Sequence, residues 1–153
     1  MRIAATALLA LAGACGGEGP MPLDVAQNKQ MIWEVIKQYH ECVDKAEMGK
    51  METLFAPEAS LVLSHDADVI RGKDPVLKAI EAKIDALDQK NRSTITGKEV
   101  IKPEGNIALV TYVASVGAQR GIITVICTRS KDNKWLISHI HDTWSMEKPP
   151  KGK

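Results

Sequence analysis

The sequence predicts an α+β domain in which N-terminal helices pack on one face of a curved, mostly antiparallel sheet. Two observations predict this class. Apolar residues recur at three- and four-residue spacing after residue 23, whereas the C-terminal half holds β-branched runs separated by short turns. Helices followed by a strand meander are the order typical of α+β folds. A chain of 153 residues suits one such domain.

The helices are predicted first. Asp24 caps the first helix, which ends at Gly49, and a short second helix closes at Pro57 because the residue before a proline avoids helical backbone. Asp74 caps the third helix, and Pro75 suits its first position. Apolar side chains at helical spacing define the buried faces: Ile32, Val35, Ile36, Tyr39, Val43 and Ala46, then Met51, Leu54 and Phe55, then Val76, Leu77, Ile80, Ile84 and Leu87.

The strands are predicted between polar turns. The turns at 64–67, 103–106, 117–119 and 131–133 are short enough to join antiparallel neighbours. The strands themselves are expected at Ser60–Leu63, Asp68–Ile70, Ser93–Ile101, Ile107–Val116, Gly121–Thr128 and Trp135–Trp144.

The N-terminus predicts an exported, lipid-anchored chain. A basic start at Arg2 precedes an uncharged run too short to span a bilayer, as in a secretory signal peptide. The motif LAGAC at residues 11–15 resembles a bacterial lipobox, which implies cleavage before Cys15 and acylation of its thiol. An ordinary signal peptide with a chance cysteine is the alternative. The expected segments are a signal peptide at 1–14, a lipidated tether at 15–22, the domain at 23–146 and a flexible tail at 147–153.

The net charge restricts the possible partners, and the cysteine content raises the question of a disulfide. Twenty basic and nineteen acidic residues leave a net charge of +1, which disfavours nucleic acid and leaves the N-terminal lipid as the expected membrane contact. Cys42 and Cys127 would lie in an oxidising compartment, where they could form a disulfide or remain buried free thiols. Both alternatives stay open.

The last predicted strand carries a family resemblance. Residues 134–143, KWLISHIHDT, resemble the final strand of the association domain of calcium/calmodulin-dependent kinase II and of SnoaL-like domains. Residues 54–59 and Gly72 support a wider resemblance, over residues 25–145, to the nuclear transport factor two-like superfamily. The resemblance implies a cone-shaped domain. It leaves function open, because the superfamily includes isomerases, dehydratases, hydrolases and assembly modules.

Ketosteroid isomerases within this superfamily provide a residue-level comparison. Tyr39 falls where that family has its oxyanion-stabilising tyrosine, which implies a hydrogen bond to a developing enolate. Leu63 occupies the position of the general-base aspartate, and Val125 lies near that of the second aspartate. The isomerase reaction is therefore not supported, and Tyr39 could equally be a core tyrosine.

The histidines of the last strand are the other catalytic candidates. His139 and His141 are two residues apart, so they should share one face with Trp135 and Ile137. They could act as acid–base catalysts near neutral pH, with Asp142 or Asp44 as an orienting carboxylate. Alternatively, one histidine bonds across the sheet while the other serves a dimer interface. Metal binding would need a third ligand from His65 or Asp66, and we predict neither a metal site nor a cofactor.

The preferred functional hypothesis is that the domain binds a ligand in a cavity. The expected ligand-binding residues are Trp33, Tyr39, His65, Arg120 and Trp144, with Arg120 available to a carboxylate, while His40 is placed on the surface. The domain would bind a small apolar or carboxylated molecule and dimerise through its sheet. The alternatives are a cofactor-independent acid–base enzyme of isomerase, dehydratase or hydrolase type, and a non-catalytic assembly module.

Overall fold

A computed structural model of the chain describes residues 24–64, 68–86, 93–96, 99–116 and 119–146. The described elements confirm the predicted α+β class: the helices lie in the N-terminal half, with two strands between the second and the third helix, and a strand meander follows. In chain order they are α1 (Val25–Lys45), α2 (Met48–Glu52), β1 (Phe55–Val62), β2 (Val69–Arg71), α3 (Lys73–Ala86), β3 (Ser93–Ile95), β4 (Val100–Glu104), β5 (Ile107–Val116), β6 (Gln119–Arg129) and β7 (Trp135–Met146).

The strands form one curved sheet that does not close into a barrel. Its order is β2-β1-β7-β6-β5-β3, and β4 also pairs with β5. Strands β1 and β7 run parallel, and the other described neighbours are antiparallel. The first and the last of the described strands, β1 and β7, are therefore neighbours, and β7 lies between β1 and β6.

The core lies between the helices and the inner face of the sheet. Helix α1 buries Ile32 and Ile36 completely, because they recur one helical turn apart on the face towards the strands. Val110, Val125 and Ile137 of the inner sheet face are equally buried. Burying each such side chain stabilises the fold by about 1.5–3 kcal/mol.

The helix ends differ from the prediction. Helix α1 ends at Lys45, because Ala46 adopts a left-handed conformation with φ of 54° and donates its N–H to the last carbonyls. Gly49 therefore lies inside α2 and ends neither helix. The chain is already extended at Phe55, and Pro57 lies within β1, where pairing with β7 is irregular.

Two further boundaries were wrong. The predicted strand Ser93–Ile101 is two strands, and both pair with β5. Helix α3 begins at Lys73, one residue before the predicted cap, directly after Gly72 with its φ of 90°.

Some of the predicted features lie outside the described ranges, and others can be compared with the structure. The signal peptide, the lipid site at Cys15 and the tail lie outside them, as does His65. Cys42 and Cys127 are free, buried thiols, so the disulfide alternative is wrong. No helix within the described ranges is long and apolar enough to cross a membrane.

Candidate functional site

A bulge in β7 positions the site. Cys127 of β6 pairs with Ile137, but the next residue back, Ile126, pairs with His139, so Ser138 has no partner in the register. One extra residue reverses the alternation of side chains beyond it. His139 and His141 therefore lie on the outer face of the sheet.

The inner face beyond the bulge carries a different set of residues. Ile140 and Asp142 are buried there, 2% and 4% exposed, and Trp144 follows them on the same face. The expectation that the two histidines share a face with Trp135 and Ile137 is wrong, because it assumed an uninterrupted strand.

A pocket opens between helices α1 and α3 and the inner face of the sheet. Its space of about 40 Å³ is room for a few water molecules, since about 10–15 Å³ holds one. Most of its wall is apolar, and its polar groups come from five side chains. The lining residues are Tyr39, His40, Val43, Ile80, Lys83, Ile84, Val116, Ile123, Ile140, Asp142 and Trp144.

Asp142 is the polar centre of this pocket. Its Oδ1 accepts a hydrogen bond of 3.2 Å from the backbone N–H of Ser64. Its Oδ2 accepts one of 3.0 Å from the indole N–H of Trp144 and pairs with the ammonium of Lys83. The same ammonium lies 5.2 Å from the centroid of the Trp144 ring, in cation–π range. A buried carboxylate needs such partners, and three donors satisfy it here.

Tyr39 provides a second polar group in the pocket. Burial raises the pKa of its phenol, and the negative charge of Asp142 raises it further. The phenol therefore stays protonated and can donate a hydrogen bond into the pocket. Its ring packs edge-to-face against Phe55, at 6.0 Å between centroids, which fixes its orientation.

His40 lies beside Tyr39 and is 6% exposed, so its expected surface position is wrong. Its Nε2 lies 2.7 Å from the Tyr112 hydroxyl, and the two rings pack edge-to-face. Burial lowers the pKa of the imidazole to about 4, so His40 is neutral at physiological pH. Adjacent helical positions are about 100° apart, and the buried stripe of α1 is wide enough to include both Tyr39 and His40.

Gly121 makes room for Trp144. The two residues are direct partners across β6 and β7. A β-carbon at Gly121 would lie 2.7 Å from Cδ2 of the indole, which is closer than any side chain tolerates. The ring therefore lies directly over the Gly121 backbone, and this position lets its N–H reach Asp142.

The structure brings Tyr39 and Trp144 together in the pocket and separates the other candidates. Trp33 packs edge-to-face on Tyr112, 5.9 Å between centroids, and lines a different surface groove. Arg120 is exposed near the start of β6, on the outer face. His65 lies outside the described ranges.

The two histidines have their own surroundings on the outer face. Nδ1 of His139 lies 2.8 Å from Oγ of Ser60 on β1, a contact across the sheet. Partial burial lowers the pKa of His139, and the neighbouring His141 lowers it further. His141 is exposed. Neither side chain reaches the pocket.

Sequence reasoning missed Lys83 and His40 and gave Asp142 only an orienting role. Lys83 follows Val76 and Ile80 on α3 at helical spacing, so the stripe itself was the available signal. The sequence does not reveal the bulge, so it could not show that the Asp142 side chain faces the pocket. Among the described residues, no group of three or more histidine, cysteine or carboxylate side chains is placed to hold a metal ion.

The site lies in a fold with known relatives. The family model of the SnoaL-like domain matches residues 32–146, which is well over half of the chain. The chain therefore belongs to the SnoaL-like domain family. No curated protein matches it.

Solved structures show the same fold at low identity. A protein of unknown function with a cystatin-like fold from Nostoc punctiforme is 16% identical, with a TM-score of 0.71 over 84% of this chain and 98% of that one. A nuclear transport factor 2-like superfamily protein from Salmonella enterica serovar Typhimurium is 19% identical, with a TM-score of 0.70 over 85% and 100%. A proposed ketosteroid isomerase from Shewanella frigidimarina is 22% identical, with a TM-score of 0.58 over 73% and 92%.

Proposed function

We propose that this domain binds a small, mostly apolar molecule that carries a neutral hydroxyl or carbonyl group. The observation that supports this most is the buried Asp142 carboxylate, which shares an apolar pocket with the protonated Tyr39 phenol. Tyr39 can donate to a ligand oxygen. Oδ1 of Asp142 accepts one hydrogen bond from Ser64 and retains a lone pair for a ligand donor.

The charges of the pocket favour a neutral ligand over a carboxylated one. A ligand carboxylate would lie beside Asp142, and Lys83 is already paired with that residue. Arg120, the candidate for binding a carboxylate, lies on the outer face. Two carboxylates in one apolar pocket repel each other strongly, because the local dielectric is low.

A thermal-shift and calorimetric screen tests the proposal. Matched ring compounds bearing a hydroxyl, a ketone or a carboxylate are compared on the wild type. Ligand at about 100 times its Kd should stabilise the protein by about 2.7 kcal/mol. Tyr39→Phe and Asp142→Asn should weaken binding of the neutral compounds, and Arg120→Ala, the control on the outer face, should not. Preference for the carboxylate, or no binding by any compound, contradicts the proposal.

Acid–base catalysis is the second candidate, because a donor and a carboxylate line the same pocket. Tyr39 would polarise a ligand carbonyl while Asp142 takes the proton from the adjacent carbon. His139 and His141 do not line this pocket, so the base is assigned to Asp142. Exchange of the α-hydrogens of a bound cyclic ketone in deuterium oxide, followed by NMR, should be enzyme-dependent and lost in Asp142→Asn. Exchange that persists in this variant assigns the base elsewhere.

We also propose that the domain forms a homodimer through the outer face of its sheet. Ile122 and Leu109 are 56% and 43% exposed on this face, which also carries the two histidines. Such an apolar face is typical of a protein interface. Sedimentation should show a dimer, and Ile122→Glu should give a folded monomer. A dimer would also fit the assembly alternative, which the ligand screen distinguishes.

The export proposal rests on the sequence of residues 1–15 alone. We propose that the chain is cleaved before Cys15 and anchored to the bacterial envelope by its acylated thiol. Mass spectrometry of the membrane-extracted protein should find an acylated Cys15 at the new N-terminus. In Cys15→Ser the protein should lose its membrane attachment. An unacylated N-terminus in the wild type contradicts the anchor.

A further inference from the structure

The pocket is too small for the ligand proposed above, on which this inference rests. Its space is about 40 Å³. Pockets that bind small organic molecules usually measure about 300–1,000 Å³. Part of the wall must therefore move, or be replaced, when a ligand enters.

Three apolar residues of the wall cannot withdraw. Ile80, Ile123 and Ile140 are each at most 4% exposed and belong to the core, where moving one side chain opens a cavity. Trp144 is different. It is partly exposed, it lies near the end of β7, and no side chain of Gly121 stands beneath its ring.

Side-chain contacts hold the indole in place. Its N–H donates to Oδ2 of Asp142 at 3.0 Å, and the Lys83 ammonium lies 5.2 Å from the ring centroid. A ligand can reproduce both contacts. A flat ring with one donor would bond the same carboxylate oxygen and lie under the same cation, while Lys83 keeps its pairing with Asp142.

We propose that the Trp144 indole occupies the ligand's own position and is displaced when the ligand binds. The ligand class follows from the chemistry of this occupant: a flat aromatic or fused-ring molecule with a single hydroxyl or N–H donor. When the indole swings out over solvent, the same movement enlarges the pocket and frees a lone pair of Oδ2. Trp144 thus sets which ligands are accepted, by competing with them.

The first test compares the binding of β-naphthol to three proteins by calorimetry. If the indole leaves the site in about one molecule in ten, Trp144→Ala should bind β-naphthol about tenfold more tightly than the wild type. Trp33→Ala removes another partly exposed tryptophan outside the pocket and should bind like the wild type. β-Naphthyl methyl ether, which has no donor, should bind more weakly to every protein.

The second test follows the displacement in the wild type. Fluorine NMR of the wild type labelled with fluorotryptophan should give one signal for each of its three tryptophans, and Trp144→Phe assigns one of them. Saturating β-naphthol should move the Trp144 signal towards that of a solvent-exposed ring and leave the other two unchanged. An unmoved Trp144 signal despite Asp142-dependent binding would overturn the displacement and leave the binding function standing. Absence of binding to the wild type and to Trp144→Ala would overturn both.

Discussion

The two faces of β7 place neighbouring residues of one strand in opposite surroundings. On the inner face, Ile140 and Asp142 are buried under the helices. On the outer face, His139 and His141 stand where a partner could reach them. The histidines are the more conspicuous residues in the sequence, yet the pocket receives the carboxylate. The comparison teaches that the bulge at Ser138 decides which side chains enter the pocket, because it takes one residue out of the alternation along β7.

Insertion of one alanine after Ile140 should have the largest effect, because it shifts the alternation of side chains beyond the bulge by one residue. With the bulge kept, His141 would turn inward and Asp142 outward, so the free energy of unfolding should fall by more than about 4 kcal/mol. Urea denaturation followed by circular dichroism measures this. Deletion of Ser138 is the control, since it removes the extra residue and its 3.0 Å bond from Oγ to the Ile126 carbonyl but leaves His139 outward and Ile140 inward in a regular ladder. Equal losses of stability in the insertion and the deletion would show that the domain does not depend on which face Asp142 occupies.

Lowering the pH should reduce the free energy of unfolding, because His40 is buried on the inner side of the domain. Its pKa falls from 6.5 to about 4 on folding, so the unfolded chain binds more protons between these values. Stability is therefore complete above pH 6.5 and declines as the pH falls to about 4, by about 3 kcal/mol in all. His40→Gln retains a hydrogen-bonding group for Tyr112 and should flatten this part of the curve. The pKa of His139 on the outer face is also lowered, but this side chain is less buried, so His139→Gln should flatten the slope less than His40→Gln. A larger flattening in His139→Gln would reverse the comparison.

Gly121→Ala should disturb the inner face by a smaller amount. The new methyl group would lie within 2.8 Å of two indole atoms, and overpacking of this kind costs about 1–3 kcal/mol. The fluorine signal of Trp144 should shift as the ring is displaced. Gly49→Ala is the matched control, because its β-carbon meets nothing within 4 Å and lies in helix α2. That control should stabilise the protein by about 0.5–1 kcal/mol. Equal effects of the two substitutions would mean that Trp144 does not need the space left by the absent side chain of Gly121.

Ser60→Ala should have the smallest effect. It removes the 2.8 Å contact with His139 on the outer face, where water can replace a lost partner. We expect a loss of about 0.5–1.5 kcal/mol in the free energy of unfolding. The pKa of His139, followed by NMR titration, should change without any change in the Trp144 signal. A response of Trp144 would show that the two faces communicate.

The helices and most strands could be predicted because each depends on local patterns. The stripe of α1 and the run at Ile107–Val116 match the structure, since helical and strand spacing are properties of neighbouring residues. Boundaries set by distant contacts were missed. Phe55 extends into β1 because it pairs with Ile137, and the sequence alone does not reveal that partner.

The pocket residues also divide into those that local patterns or resemblance indicate and those whose role depends on distant contacts. Tyr39 and Trp144 were found from residue type and family resemblance, and both line the pocket. Asp142 was underrated because period-two alternation from Trp135 puts it on the wrong face. Lys83 gains its role only through Asp142, which is 59 residues away in the chain.

The amino-acid sequence by itself determined the α+β class, the order of elements and the candidate tyrosine, because spacing and turn residues act locally. The tertiary structure decided which face of β7 meets the helices. Cross-strand register is a property of three chain segments together, and the bulge at Ser138 is visible only when β6 and β1 are paired with β7. That register alone puts a carboxylate in the pocket and the histidines outside it.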